Sequence, residues 1–403
     1  MLISNQEKIK KRILYAEAVF GEKEKQAVLA SMNNKWLASG PLVREFEKKI
    51  TQLFGKKYGI AVNSGSSANL LAIQSLHLPE NSEVITPACT FSTTVSSIIH
   101  NNLIPVFIDS VIGRYTVNED LVEKAITKKT KIIMVPQLVG GVCDMVKLRK
   151  IANKYKLIFI DDSCDTFAPY FNKKTAASYS DLTTTSFYGS HIITALGFGG
   201  MIMTDSEKLR DKIFTLRDWG RIGDDKEEFD KRFNFSIDNI PYDAKFLYTE
   251  LGYNLKMNEA AAAFGLEQLK KLGGFLRKRN YNFQSLKKFF NRYEKWFHVP
   301  YLIEGAQTNW LAFPLTVRKD APFSRYNFLK HLESRGIQTR VLFSGNITRH
   351  PVYRNIKFKV SGSLKNADMI MASSLLLGCH QALTEEDLAY ICKTAEEFFK
   401  KHA

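Results

Sequence analysis

Between about residues 58 and 205, short runs of β-branched and aromatic residues alternate with stretches of helical spacing. The runs YGIAVN, EVITPA, IPVFID, KIIMVPQ, KLIFIDD, DLTTTSFY and GMIMTD read as seven strands. Strands separated by helical stretches predict an α/β fold with a mostly parallel sheet covered by helices. A linking region follows, with the acidic, loop-like stretch GDDKEEFDKRFN, and then KMNEAAAAFGLEQLKKL, whose composition is that of a strong helix. Beyond about residue 275 the order becomes helix, strand, helix, with LAFPLTV and QTRVLF as strands. A chain of 403 residues exceeds the size of one core. The expectation is a large domain over residues 1–270 and a smaller α+β domain over 271–403.

Polar clusters fall where the predicted strands end, and ligands of open α/β sheets sit there. The first is Asn63-Ser64-Gly65-Ser66-Ser67-Ala68-Asn69, ahead of the apolar helix LLAIQSL. Its glycine and small hydroxyls at a helix N-terminus suit a phosphate, and they equally suit a plain helix cap. Asp161-Asp162 ends the run KLIFI. An acid there either holds a protonated ring nitrogen of a cofactor or caps the next turn.

Bulk properties narrow the class. No apolar run approaches the roughly 20 residues of a membrane span, and the opening MLISNQEKIKKRILYAEAVF lacks the pattern of a secretory signal, so a cytoplasmic protein without membrane contact is expected. The five cysteines are far apart and form no CxxC pair, which indicates neither a disulfide framework nor a metal site. The net charge of +16 is spread over helical stretches such as KLRKIANKYK, which argues against nucleic acid and favours small anionic substrates.

Six segments, in order, resemble the DegT/DnrJ/EryC1/StrS family of sugar aminotransferases and dehydratases: VFGEKEKQAVLASMNNKWLASGPLVREFEKKI, NSGSSANLLAI, TPACTFSTT, IDDSCD, SFYGSHIITALGFGGMIMTD and GYNLKMNEAAAAFGLEQL. The resemblance implies the pyridoxal-phosphate-dependent transferase fold type I, with a seven-stranded sheet in the large domain and an N-terminal segment packed on the dimer or the small domain. It implies that Gly65, Ser66, Ser67 and Ser186 hold the cofactor phosphate, that Phe91 stacks on the pyridine ring, and that Asp162 pairs with its nitrogen. Asp165 joins the cofactor set, and Asn254 reaches the phosphate of a partner subunit in a homodimer with shared sites.

One position departs from the family's aminotransferases. They carry a lysine five residues after the serine that matches Ser186; here that place is His191, and SFYGSHIITALGFGG holds no lysine. An imidazole forms no stable imine with the cofactor aldehyde, but it takes and gives protons near neutral pH. Such a histidine marks the family's 3-dehydratase branch, in which hydroxide leaves C3 of a 4-keto sugar. The segment Gly345-Asn346-Ile347-Thr348-Arg349-His350-Pro351, with Arg340 upstream, also resembles that branch. Arg340, Asn346, Arg349 and Trp36 are the expected substrate contacts.

One form of the branch binds an iron–sulfur cluster through cysteines shortly after a DWGR segment. Here Asp218-Trp219-Gly220-Arg221 is followed by IGDDKEEFDKRFNFSIDN, which has none. The expectation is therefore an iron-free enzyme similar to the GDP-4-keto-6-deoxymannose 3-dehydratases. It would use non-covalent pyridoxal and pyridoxamine phosphate with L-glutamate as amino donor, and release a 3-deoxy-4-keto sugar and ammonia. Three alternatives stand beside it: a non-catalytic relative that lost its lysine, an aminotransferase with an engineered replacement, and a relative of the CDP-sugar enzyme without its cluster.

Overall fold

Each of the seven runs forms a strand: β1 (Tyr58–Val62), β2 (Glu83–Pro87), β3 (Ile104–Ile108), β4 (Thr130–Pro136), β5 (Ile158–Asp162), β6 (Leu182–Ser186) and β7 (Gly200–Thr204). The computed structural model describes residues 12–222 and 228–402; residues 1–11 of the opening and 223–227 of the acidic stretch, where the absence of cysteine was noted, lie outside the described residues. The strands pair in the order β1-β7-β6-β5-β4-β2-β3. An eighth strand of two residues, Lys359–Val360, adds to β3 in parallel.

The pairs β6/β5, β5/β4, β4/β2 and β2/β3 are parallel, whereas β7 runs antiparallel to both neighbours. The cause is local: residues 187–199 join β6 to β7 without a helix, so the chain returns beside the strand it has just left. β2, β3 and β7 are buried along their whole length, as strands covered on both faces must be.

Helix α1 (Glu22–Asn33) and helix α2 (Pro41–Phe54) pack against the long helix Glu259–Asn291 that grows from the alanine-rich segment. Asn258 caps the long helix by accepting the Ala261 N–H at 2.8 Å. Glu259 accepts the N–H groups of Leu42 and Val43 at 3.0 and 2.9 Å, which satisfies otherwise unpaired donors at the start of α2. At 1.5 Å per residue the long helix extends about 50 Å, across the 270/271 position. Its far half enters a second core through Phe283, Leu286 and Phe290.

That core is built on a four-stranded antiparallel sheet ordered Phe297–His298, Phe313–Val317, Ser374–Leu377, Arg340–Val341. LAFPLTV supplies its central strand, while QTRVLF contributes only two residues. A further apolar cluster, with Ala88, Val95 and Phe107 on one side and Leu311, Ile347 and Leu376 on the other, joins this sheet to the carboxyl edge of the large one. Among the described residues no helix is long and apolar enough to cross a membrane.

Candidate active site

Strands β1, β2, β4, β5 and β6 end along one edge, and the segments that leave it surround a cavity of about 710 Å³ closed by the smaller sheet. Gly65, Ser66, Phe91, Asp162, Asp165, Ser186, His191 and Arg340 all line it, so eight of the sequence's candidates come together from across the chain. Among the described residues no lysine lines it.

After β1 the chain turns directly into helix α3 (Gly65–Gln74), capped by Ser64, whose hydroxyl accepts the Ser67 N–H at 3.1 Å. Ser67 stays on this first turn and donates its hydroxyl to Asn63 at 2.7 Å. Gly65 is required by space: a Cβ there would lie 2.7 Å from Ser186 Cβ and 2.9 Å from Cys164 Sγ. The approach brings the positive end of α3 beside the end of β6, an arrangement suited to an anion.

Asp162 is held by several donors. Its Oδ2 accepts from Asn69 Nδ2 and Thr94 Oγ1, both at 2.8 Å, and its Oδ1 accepts the Cys164 N–H at 3.2 Å. Asn69 in turn accepts the Thr184 hydroxyl at 2.6 Å. Asp165 accepts the N–H of Val139, a β-branched residue at φ +58°, and the Val139 carbonyl accepts the Leu311 N–H at 2.9 Å. Burial pushes the Asp165 carboxyl up to about 7, against the Val139 hydrogen bond and with help from the charge of Asp162. Burial likewise raises Asp161 to about 7, although Gln137 and Ser163 donate to it.

His191 lies in the loop between β6 and β7, half-buried, with Nδ1 3.2 Å from the Ser186 carbonyl oxygen. A carbonyl only accepts, so the neutral ring carries its proton on Nδ1 and keeps a lone pair on Nε2. Burial holds the imidazole down to about 4; the Ser186 contact opposes this and the charge of Arg279 adds to it. At neutral pH the ring is a base with its proton position fixed by the main chain.

Across the cavity Phe91, 47% exposed, meets Phe343 edge-on at 5.6 Å between centroids. Arg340 donates to the Thr339 carbonyl at 2.8 Å, and its guanidinium lies 5.6 Å from the ring of Tyr15, another lining residue. Asn346 and Arg349 stand behind this wall. Both donate to Asp368, at 2.7 Å from Asn346 and at 3.0 and 2.7 Å from Arg349, whose side chain is 62% exposed. Ile347 N–H donates to the Ala88 carbonyl at 3.0 Å, so this segment braces the turn that carries Phe91.

Three other candidates also lie outside the lining: Ser67, on the first turn of α3, Trp36 and Asn254. Trp36 is 58% exposed and donates its indole N–H to the Ser39 carbonyl at 3.1 Å. Asn254 is exposed, bridged to Asp218 and three residues from Leu251, which is 92% exposed. Sequence reasoning gave no role to Asn69, Thr94, Tyr15 or Phe343. Asn69 alone carried a signal, as an amide inside an apolar helix that needs a buried partner. Among the described residues no group of His, Cys, Asp and Glu is arranged to hold a metal ion.

Residues 19–396 match the DegT/DnrJ/EryC1/StrS aminotransferase family. The chain is 37% identical over 396 residues to the lipopolysaccharide biosynthesis protein RfbH of Salmonella typhimurium, a match covering 94% of this chain and 90% of that protein. It is 33% identical over 398 residues to the dTDP-4-dehydro-2,6-dideoxy-D-glucose 3-dehydratase of Saccharopolyspora spinosa, covering 95% and 86%. Among solved structures, a GDP-4-keto-6-deoxymannose-3-dehydratase with a trapped PLP-glutamate geminal diamine is similar at a TM-score of 0.87 and 26% identity, over 95% of this chain and 100% of that one. The architecture they share is the pyridoxal-phosphate-dependent aminotransferase fold, as expected.

Proposed function

The chain belongs to the DegT/DnrJ/EryC1/StrS aminotransferase family, and on that premise we propose that it is a 3-dehydratase of a nucleotide-linked 4-keto-6-deoxyhexose that works with unanchored pyridoxamine and pyridoxal phosphate. The observation that carries this reading is His191: a neutral imidazole with Nδ1 turned to Ser186 and Nε2 free to take a proton, in a cavity whose described lining contains no lysine.

The residues present fit the cofactor. The space kept clear by Gly65, the first N–H groups of α3 and the hydroxyls of Ser66 and Ser186 suit its phosphate, with Ser67 next along the same turn. The fixed carboxylate of Asp162 suits a protonated pyridine nitrogen, and the half-exposed ring of Phe91 suits a stacked one. Asp165, protonated for much of the population near pH 7, adds a hydrogen-bond donor beside them. Bound there, the cofactor would supply an electron sink for loss of hydroxide from the sugar carbon next to the keto group.

His191 then has two tasks: its Nε2 removes the proton at the cofactor's C4′ during dehydration, and it moves protons at the same atom while glutamate restores the amine form. Arg340 offers a cation to the anionic substrate. Glutamate and a GDP sugar are supported by the similar structure, and a dTDP sugar by the relative from Saccharopolyspora. The iron-free reading rests on the lack of cysteine in the stretch IGDDKEEFDKRFNFSIDN directly after Arg221 and on the wide separation of the five cysteines. The exposure of Trp219, Phe246, Tyr248 and Leu251, together with that of Asn254, supports a homodimer in which Asn254 reaches the partner's cofactor phosphate.

The test is to incubate the protein with pyridoxal phosphate, glutamate and GDP-, CDP-, UDP- and dTDP-4-keto-6-deoxy sugars, and to follow products by mass spectrometry. Loss of water from at least one, absent with His191→Asn, is expected. Conversion of none contradicts the reading, and an amino sugar that retains its C3 hydroxyl replaces it with transamination.

A further inference from the structure

Arg279, in the middle of the long helix, is 2% exposed, and among the described residues no carboxylate pairs with it. Its Nε donates to the Trp310 carbonyl at 3.3 Å, its Nη2 to the Leu311 carbonyl at 2.8 Å and its Nη1 to the side-chain oxygen of Gln381 at 2.5 Å. Enclosing a cation among neutral acceptors is costly, and stability alone would favour an apolar side chain. Its neighbours indicate what the charge serves. Leu311 lines the active-site cavity, and Gln381 Nε2 donates to the carbonyl of Ile192, the residue after His191, at 3.5 Å.

We infer that Arg279 is a positioning residue for His191: through Gln381 it steadies the loop that carries the imidazole, and its buried charge opposes a second positive charge on that ring. This role rests on the proposed use of His191 as a base. The other titratable or charged groups around the cavity are Tyr188 in the same loop, Asp162, Cys164 and Asp165 after β5, Tyr15 from the N-terminal segment and Arg340 from the smaller sheet. The two carboxyls, where ionised, favour a protonated imidazole. Arg279 supplies the opposing charge from outside the cavity lining, after burial, which is the larger influence.

The test is a ¹⁵N-histidine NMR titration of the full chain, with the His191 signal assigned by its loss in His191→Asn. Arg279→Met is expected to raise the midpoint of His191 by about half a pH unit or more, since one of two depressing influences is gone. Gln381→Glu, which places a carboxylate against the guanidinium, is expected to do the same, and Arg279→Lys to leave the midpoint near that of the wild type. The Gln381 variant keeps the question open to decision should Arg279→Met fail to fold. An unchanged midpoint in whichever of these two variants folds overturns the inference. The midpoint is read without substrate. A negative dehydration assay therefore counts against the proposed function alone, and an unmoved midpoint against the role of Arg279 alone.

Discussion

Asn69 and Asp162, 93 positions apart in the chain, meet in a buried hydrogen bond of 2.8 Å that orients the carboxylate lining the cavity. The same amide accepts from Thr184, so it cannot turn without leaving a second polar group unpaired. Asn69→Ala is expected to lose about 1–3 kcal/mol of stability, the cost of orphaned buried groups. It should also weaken pyridoxal phosphate binding by about tenfold, equivalent to roughly 1.4 kcal/mol. Urea unfolding and absorbance titration measure the two effects. Unchanged affinity would remove Asp162 from the cofactor site.

Asp165 gives the protein a distinctive pH response. Its carboxyl ionises at about 7 in the fold against 3.8 as the ordinary value, so between these limits the folded chain keeps a proton that the unfolded chain has released. Its contribution to stability is present at low pH and lost as pH rises through 7. Asp165→Asn should therefore become more stable relative to wild type as pH rises from about 4 to 8, with a slope of at most about 1.4 kcal/mol per pH unit. His191, lowered from 6.5 to about 4, works in the opposite sense: its contribution falls as pH falls through that window. Urea midpoints of Asp165→Asn and wild type that stay parallel across this range would contradict the assignment.

The proposed dimer makes its own demand. Leu251 is 92% exposed and stands with Tyr248, Phe246 and Trp219, also exposed, close to Asn254. Exposed apolar side chains in this part of the chain suit an association site. Leu251→Asp is expected to shift the protein to monomer in light scattering and to weaken cofactor binding at the same time, because Asn254 would lose its reach into the partner. A variant that stays dimeric with full affinity would place the interface elsewhere.

The seven strands were legible because each is a short run rich in β-branched or aromatic residues bounded by turn or helical segments, and each meets its partners through backbone bonds that its own composition favours. Gly65, Asp162, Ser186 and His191 were legible for a related reason: each sits where such a run ends, and the sheet carries every end to one edge. Other parts depend on partners distant in sequence. The strand Lys359–Val360 has two residues and no pattern of its own; it exists because β3 offers a free edge. Asn346 and Arg349 were expected as substrate contacts; both also donate to Asp368, and only the fold shows that acid beside them. Arg279 reads as one more basic residue on a helix until the smaller sheet closes over it.

The central claim concerns the proton at the cofactor's C4′, and one measurement reads it directly: exchange of that hydrogen when the protein is mixed with pyridoxamine phosphate in deuterium oxide and followed by NMR. Exchange catalysed by the wild type and lost in His191→Asn is the predicted result. No exchange with the folded, cofactor-bound wild type, or equal exchange in the variant, would show that His191 is not the base.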